Sequence, residues 1–225
     1  FIGIYYVRNF LIAIYILSIG VEGIEITCVV AKSESNTTCE VEKLTITSTG
    51  DRTITRNSSQ PMFDDMKVTI FRVLNQTVNY FPLNLTAIFP HLKTVEIKNS
   101  KLRSILTEDL TQFGSKLDSL SLDYNTIPSL VNGIFKNNTN LVTLNLENNS
   151  IKSVKNGTFA PMTKLKNLNF RSNPCYSDLS STLNDTQSLT KQIYAKCDGS
   201  SITRSTVLTG LFAVWILSVV KKLVN

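Results

Sequence analysis

Hydrophobic and polar residues alternate with a fixed spacing between residues 117 and 173. Three segments there follow the pattern L-x-x-L-x-L-x-x-N and begin at Leu117, Leu141 and Leu165, which gives a period of 24 residues. The second and third apolar positions of a segment are separated by one residue, so both side chains point to the same face of a short strand. The pattern predicts three strands that direct these side chains into one core: Leu120 and Leu122, Leu144 and Leu146, Leu168 and Phe170.

An asparagine closes each of the three segments, at Asn125, Asn149 and Asn173. These residues stand where the chain must turn away from the strand. A side-chain amide can both donate and accept hydrogen bonds, so we expect each asparagine to bond the backbone of a neighbouring coil, and the three to form a ladder. A single coil would leave its apolar face bare, whereas stacked coils cover each other. The stretch therefore predicts a repeat architecture.

Weaker copies of the pattern extend towards the N-terminus. In two copies another polar residue replaces the asparagine: Leu92, Val95 and Ile97 precede Ser100, and Val68, Phe71 and Val73 precede Gln76. A first strand is predicted at Val41, Leu44 and Ile46, before a long irregular coil, which brings the total to six strands. We expect an irregular, 3₁₀ or short helical convex side, because apolar residues also recur after the strands: Ile127, Leu130 and Phe135 match Ile151, Val154 and Phe159.

By this phasing the chain resembles the leucine-rich-repeat family from Val41 to Cys197. The segment F-P-H-L-K-T-V-E-I-K-N-S-K-L-R-S-I-L-T-E-D-L, from Phe89 to Leu110, is similar to short secreted leucine-rich-repeat proteins of flies and mosquitoes. The resemblance implies an α/β fold, a solenoid with a parallel β-sheet on the concave face and an irregular or 3₁₀ convex side. It also implies a protein that binds other molecules and is not a catalyst.

The first 23 residues have the features of a signal peptide. Arg8 supplies a positive charge, the run from Phe10 to Ile19 is apolar, and Val21 and Gly23 suit the positions before a cleavage site. An uncleaved anchor is the alternative, but the apolar run is shorter than the about 20 residues of a membrane span. We predict a signal peptide at 1–23, an N-terminal cap at 24–40, repeats at 41–174, a C-terminal cap at 175–199 and a membrane-anchor signal or transmembrane tail at 200–225.

The C-terminal tail contains a second apolar run, from Val207 to Val220. Small residues from Asp198 to Ser201 precede it, as in a glycosylphosphatidylinositol (GPI) signal. A transmembrane span is the alternative, and Lys221 and Lys222 would suit its cytoplasmic end. We favour the lipid anchor slightly, since the run is 14 residues long. Both interpretations place the solenoid on the extracellular face of the plasma membrane, or leave it secreted.

Four cysteines flank the predicted repeats. The open ends of a solenoid need caps, and disulfide bonds are available to extracellular proteins. We predict that Cys28 pairs with Cys39 and that Cys175 pairs with Cys197, because the other pairings would connect opposite ends of the stack. A zinc site is the alternative, but there is no close C-x-x-C, and the only histidine, His91, is predicted to be a surface turn residue.

Eight N-x-[ST] sequons occur in the chain. Such a number behind a signal peptide predicts that several asparagines carry glycans. The sequon asparagines are Asn36, Asn57, Asn75, Asn84, Asn137, Asn148, Asn156 and Asn184.

The formal net charge of +6 does not indicate a nucleic-acid partner. Removal of both terminal segments would lower it to about +3, and no basic run is interleaved with aromatic residues. No nucleophile motif, phosphate loop or H-E-x-x-H occurs. The carboxylate pairs Asp64 with Asp65 and Glu108 with Asp109 are predicted to be solvated. We therefore predict a protein that is not an enzyme and that uses no metal or cofactor.

The residues between the inward apolar positions are predicted to point out of the sheet onto the concave face. They are Lys43, Thr45 and Thr47; Ile70, Arg72 and Leu74; Thr94, Glu96 and Lys98; Ser119, Ser121 and Asp123; Thr143, Asn145 and Glu147; and Asn167, Asn169 and Arg171. Among them Arg72, Glu96, Lys98 and Asp123 form one charged stripe on successive strands. Tyr124 at its edge supplies an aromatic residue, a type enriched at binding hot spots.

These observations favour a cell-surface recognition protein whose concave face binds a protein or a glycan, in adhesion, innate immunity or a receptor complex. The alternative is a structural matrix or coat glycoprotein without a specific ligand. A receptor that signals by itself is less favoured, because only five residues follow Val220.

Overall fold

The structure, a computed structural model, describes residues 5–7, 10–12, 23–56, 67–176 and 185–198. The strands of these residues are β1 Tyr5–Val7, β2 Phe10–Ile12, β3 Ile24–Ile26, β4 Cys28–Lys32, β5 Thr37–Val41, β6 Thr45–Ile46, β7 Ile54–Arg56, β8 Ile70–Leu74, β9 Thr77–Val78, β10 Thr94–Lys98, β11 Ser119–Ser121, β12 Ser129–Leu130, β13 Thr143–Asn145, β14 Ser153–Val154 and β15 Asn167–Asn169. The helices are α1 Leu85–Ile88, α2 Thr107–Thr111 and α3 Thr186–Cys197, with a 3₁₀ turn at Gly114–Lys116.

The main sheet contains one strand from each coil. Its order is β15-β13-β11-β10-β8-β5-β4, and all neighbours are parallel except the antiparallel pair β4 and β5. Leu120, Leu144 and Leu168 lie opposite one another in the register, as the period of 24 residues predicts. Their side chains are buried. The predicted solenoid with a parallel sheet and six parallel strands is confirmed.

The predicted position of the first strand was wrong. We placed it at Val41 to Ile46, but the strand that pairs with β8 is β5, in which Cys39 lies opposite Phe71. Ile46 instead pairs with Val78 in the short β6–β9 ladder, outside the main sheet. The apolar spacing of Val41, Leu44 and Ile46 imitates the strand pattern, because Leu44 occupies the position that asparagine takes in later coils. Leu44 and Ile46 are still buried, but on the side that follows the strand.

The predicted asparagine ladder is present. Asn125 accepts hydrogen bonds at its Oδ1 from the Ser100 and Leu102 N–H groups, both at 3.0 Å, and its Nδ2 donates to the Ile97 carbonyl at 2.7 Å. Asn149 and Asn173 repeat this arrangement one and two coils later. In the coil of β8, the longer side chain of Gln76 accepts from the Leu44 N–H at 3.2 Å. Side-chain amides thus satisfy buried backbone groups where each coil leaves its strand.

Asn149→Ala should lower the free energy of unfolding by about 1–3 kcal/mol. The substitution removes the partner of the Ile127 N–H and of the Leu122 carbonyl, which then remain buried without hydrogen bonds. Chemical denaturation followed by circular dichroism measures the change. Asn132→Ala is the matched control, because Asn132 is exposed and its loss should change stability by less than about 0.5 kcal/mol. Equal midpoints for both variants would contradict the role of the ladder.

The convex side of the solenoid is filled by aromatic residues. Phe135 and Phe159 stack with ring centroids 6.3 Å apart, one coil after the other, and Phe159 stacks on Tyr194 of α3 at 5.6 Å. The Phe159 N–H donates to the Tyr194 hydroxyl at 2.7 Å, and burial raises the pKa of that hydroxyl above its ordinary value. Leu130 and Val154 lie opposite each other in the short parallel pair β12–β14. The predicted recurrence of convex apolar positions is therefore confirmed.

A disulfide closes each end of the stack. Cys28 of β4 pairs with Cys39 of β5, with Cα atoms 5.1 Å apart. Cys175, just after the last coil, pairs with Cys197 at the end of α3, with Cα atoms 5.2 Å apart. The N-terminus of α3 is capped by Asp185, whose carboxylate accepts from two backbone N–H groups, and the hydrogen bonds lower the pKa of this carboxyl. Both predicted pairings and the predicted disulfide caps are confirmed.

Asp109 is fully buried, which corrects the prediction that Glu108 and Asp109 are both solvated; Glu108 is exposed. The Asp109 Oδ1 lies 2.6 Å from Nη1 of Arg52, a residue 57 positions earlier in the chain. Its Oδ2 accepts from the Leu106 N–H at 2.7 Å. Burial raises the pKa of the Asp109 carboxyl, against the opposing effects of this backbone hydrogen bond and of the Arg52 guanidinium.

Several predictions concern residues outside the described ranges. They include most of the signal peptide, of which the structure describes the antiparallel pair β1–β2, and the anchor from residue 200 onwards. The sequons at Asn57 and Asn184 and the pair Asp64 and Asp65 also lie outside these ranges. In the part of the chain that the structure describes, no helix is long and apolar enough to cross a membrane.

Candidate binding face on the concave sheet

The outward side chains of the main sheet form the concave face. The register places Glu40 of β5 opposite Arg72 of β8, and Arg72 opposite Glu96 of β10. These side chains point away from the core because the residues on either side of them point inward. Lys43, Thr45 and Thr47, which we predicted on this face, do not lie on it, since β5 ends at Val41. Thr38 and Glu40 take their place.

Arg72 stands at the centre of a charged network. Its Nε donates to Glu96 Oε2 at 2.5 Å, and its Nη1 lies 3.5 Å from Glu40 Oε2. The hydrogen bond to Glu96 raises the pKa of the guanidinium above its ordinary value, with Glu40 acting in the same direction. Arg72 therefore remains charged and is held between carboxylates on the two neighbouring strands.

Lys98 extends the network by one strand. Its Nζ lies 3.7 Å from Glu96 Oε1 and 4.0 Å from Asp123 Oδ1. Asp123 also accepts a hydrogen bond from the Ser121 hydroxyl at 2.5 Å. The structure thus brings together four of the five predicted site residues: Arg72, Glu96, Lys98 and Asp123. Half-buried carboxylates alternate with cations whose side chains are about one third exposed.

Sequence reasoning missed Glu40, because the first strand was placed too late in the chain. A phase measured backwards from Phe71 on β8 to Cys39 would have shown it, since the cysteine and Val41 alternate as the inward leucines do.

The later coils continue the face with polar side chains. The Asn169 Nδ2 donates to Glu147 Oε2 at 2.8 Å, and the Asn145 Oδ1 accepts from the Glu147 N–H at 3.1 Å. The Asn167 Nδ2 donates to the Thr143 hydroxyl at 3.3 Å. The concave face is therefore a surface of side chains that hold one another in place across neighbouring strands.

Tyr124, the fifth predicted site residue, lies where the coil of β11 leaves the sheet. Its side chain is 53% exposed and its φ is +56°, in the left-handed region. The same position, just before the ladder residue, is left-handed in the four neighbouring coils and is occupied there by short polar residues: Asn75, Asn99, Asn148 and Ser172. Asparagine tolerates this conformation far better than a bulky residue does. Tyr124 is thus an exposed aromatic residue at a position that disfavours it.

The described sequons leave the concave face uncovered. None of the six described sequon asparagines lies within a strand of the main sheet. Asn75 and Asn148 directly follow β8 and β13, and Asn36 directly precedes β5. The other three lie between strands, at Asn84, Asn137 and Asn156.

The arrangement provides contacts but no evident reaction centre. Among the described residues, no three His, Cys, Asp or Glu side chains come close enough together to hold a metal ion. His91 is exposed at a turn before β10. The chemistry of the concave face is that of charged and polar recognition.

Comparison with known proteins identifies the repeat. Residues 115–174 match the family model described as leucine rich repeat. No curated protein matches the chain. The parallel sheet with one strand per coil and the ladder residues are those of a leucine-rich-repeat solenoid.

Solved structures with similarity to the chain include three leucine-rich-repeat proteins. The crystal structure of the LRIM1/APL1C complex is 19% identical and covers 66% of this chain and 31% of its own, with a TM-score of 0.48. The APL1 leucine-rich repeat domain is 22% identical, covers 69% of this chain and 45% of its own, and has a TM-score of 0.47. The Toll–Spatzle complex of Drosophila is 19% identical, covers 64% and 22%, and has a TM-score of 0.45. The chain spans less than half the length of each of these proteins.

Proposed function

We propose that this leucine-rich-repeat chain is an extracellular, membrane-attached binding protein whose concave face recognises a protein or glycan partner. The partner contacts the middle coils, at Arg72, Glu96, Lys98, Asp123 and Tyr124. The observation that carries the proposal is Tyr124, a 53% exposed aromatic side chain in a left-handed conformation beside the charged network.

The position of Tyr124 costs stability. A non-glycine residue in the left-handed region is disfavoured by roughly 1–2 kcal/mol, and asparagine at the equivalent site of the neighbouring coils lowers that cost. Strained residues of this kind occur most often at functional sites. Tyrosine also offers a large, stiff contact surface with a polar end, which suits a hot spot.

The charged network next to Tyr124 is preorganised for recognition. Arg72 is fixed by Glu40 and Glu96, so a partner that contacts it need not order a free side chain. Preorganisation lowers the entropic cost of binding. The mixed signs of the network favour a partner with a complementary pattern of charges over a uniformly charged one.

Two features support an extracellular site of action. Disulfide bonds are typical of oxidising compartments, and both pairs of cysteines are bonded. The sequons, the signal peptide at 1–23 and the GPI anchor or single span at 200–225 remain predictions that agree with this location. The relation to short dipteran proteins also remains a prediction.

The proposal predicts that a triple variant, Arg72→Gln, Lys98→Gln and Tyr124→Asn, loses partner binding by at least roughly tenfold, because hot-spot residues each contribute about 2 kcal/mol or more. The full chain displayed on cells is titrated with panels of secreted proteins, cell-surface ectodomains and glycans. The melting temperature should stay within a few degrees of the parent value, since Asn suits the conformation of residue 124.

The matched control is Val131→Asn, Lys152→Gln and Lys155→Gln, which removes two cations and one exposed apolar side chain outside the concave face. This control should bind as the parent does. A triple concave variant that binds every identified partner with parental affinity would place the site elsewhere.

A further inference from the structure

The strands of the main sheet all begin at one edge of the solenoid, and that edge is basic. Continuing the register of the strands by a few residues towards their N-terminal sides aligns two rows across the coils. The first row is Lys67, His91, Lys116, Asn140 and Lys164, and the second is Thr69, Lys93, Asp118, Val142 and Lys166. We call the five lysines of these rows, together with His91, the basic edge.

The side chains of the basic edge are free to meet a ligand. All five lysines and His91 are exposed. Among the described residues, no carboxylate lies within 4.0 Å of these lysines, whereas Arg72 and Lys98 on the concave face are paired. Asp118 is the one acidic residue in the two rows. The chain thus compensates charge on its concave face and leaves an excess of positive charge at this edge.

The geometry of the basic edge suits a long, linear anion. Neighbouring strands lie about 4.8 Å apart, so the five coils from Lys67 to Lys164 span roughly 19 Å along the solenoid axis. Around Lys67, Lys93 and Lys116 the surface forms a shallow depression of about 360 Å³, whose floor includes Pro90 and Leu92. Flexible ammonium groups on either side of it act as point charges, which match tetrahedral anionic groups without demanding one orientation.

We propose that the basic edge binds a sulfated polysaccharide of the extracellular matrix or cell surface. Sulfate groups carried at regular intervals on a stiff chain would meet one or two lysines at most of the coils. The disulfide caps point to the compartment in which such chains occur. A nucleic acid fits less well, because no exposed aromatic side chain accompanies these lysines on which bases could stack. The site is separate from the concave face and does not depend on the function proposed for it.

The test is titration of the full chain, purified in detergent, with heparin as the sulfated probe. An edge variant carries Lys93→Gln, Lys116→Gln, Lys164→Gln and Lys166→Gln. A control variant carries Lys43→Gln, Lys101→Gln, Lys152→Gln and Lys155→Gln, four exposed lysines from outside the basic edge. Both variants lose the same charge, so only the placement of the lysines differs.

We expect the parent and the control variant to bind heparin, with an affinity that falls roughly tenfold or more between about 50 and 200 mM salt as counterions are exchanged. The edge variant should bind at least tenfold more weakly and show a smaller salt dependence. The triple concave variant described above should retain at least a third of the parental heparin affinity, which separates the two sites.

Three outcomes would overturn the proposal. Equal losses in the edge and control variants would mean that only net charge matters. Equal binding of desulfated heparin would exclude sulfate recognition. Single-stranded RNA that binds more tightly than heparin, and loses affinity in the edge variant, would assign the edge to nucleic acid. Melting curves of both variants establish that they fold, and since all substituted lysines are exposed, we expect melting temperatures near the parental value.

Discussion

Arg52→Met should lower the free energy of unfolding by about 3–5 kcal/mol, because it leaves a buried carboxylate without its cation. Asp109 has no exposed surface, and its Oδ1 lies 2.6 Å from the Arg52 guanidinium. The remaining contact, from the Leu106 N–H, cannot neutralise the charge. Urea denaturation at neutral pH, followed by circular dichroism, measures the loss.

The pH dependence gives this prediction a second readout. Burial raises the pKa of Asp109 in the folded state, and removal of Arg52 should raise it further, because the guanidinium opposes that effect. A carboxyl with a raised folded pKa favours the folded state below the unfolded value of about 4 and loses this contribution as the pH rises. The cost of Arg52→Met should therefore be smallest near pH 4 and should grow towards pH 7.

The double variant Arg52→Met, Asp109→Leu is the control. Buried ion pairs can often be replaced by apolar residues of similar volume with little loss of stability, so this variant should recover most of the parental value. If Arg52→Met unfolds at the parental urea concentration at pH 7, the ion pair is not formed in solution.

The second large effect is expected for Leu144→Ala, at about 2–5 kcal/mol. Leu144 is fully buried between Leu120 and Leu168, its partners in the adjacent strands. The truncation opens a cavity in the middle of the stack, where the coils on both sides prevent collapse. Urea denaturation of the full chain measures the difference.

Thr143→Ala on the same strand provides the comparison, because its side chain points to the other face of the sheet. Its removal should change stability by less than about 0.5 kcal/mol. Similar losses at both positions would mean that the register of β13 is shifted by one residue, since such a shift exchanges the two faces.

The sequence predicted the part of the fold in which local pattern and tertiary position coincide. From Leu117 to Asn173 the strand leucines and the ladder asparagines recur in the same phase, so the register of β11, β13 and β15 followed from spacing alone. At Val41 to Ile46 the same local spacing arose from a different part of the coil. The pairing of β5 with β8 decides the matter there, and no local pattern encodes it.

The candidate site shows the same division. Arg72, Glu96, Lys98 and Asp123 were found because they alternate with inward residues on correctly placed strands. The burial of Asp109 could not be predicted, since its partner Arg52 is 57 residues away. The left-handed conformation of Tyr124 was also missed as a signal, although the asparagines at the equivalent positions of the neighbouring coils were visible in the sequence.

The antiparallel orientation of β4 limits how many molecules can join end to end. A stack of parallel strands with two open edges could extend from one molecule to the next and form a filament. Here β4 reverses the strand direction at one end, and at the other end α3 packs against β14 and β15. Neither terminus of the described solenoid presents the edge that the opposite terminus would need. The repeat can thus lengthen within one chain by added coils, while self-association through the sheet edges is blocked at both ends.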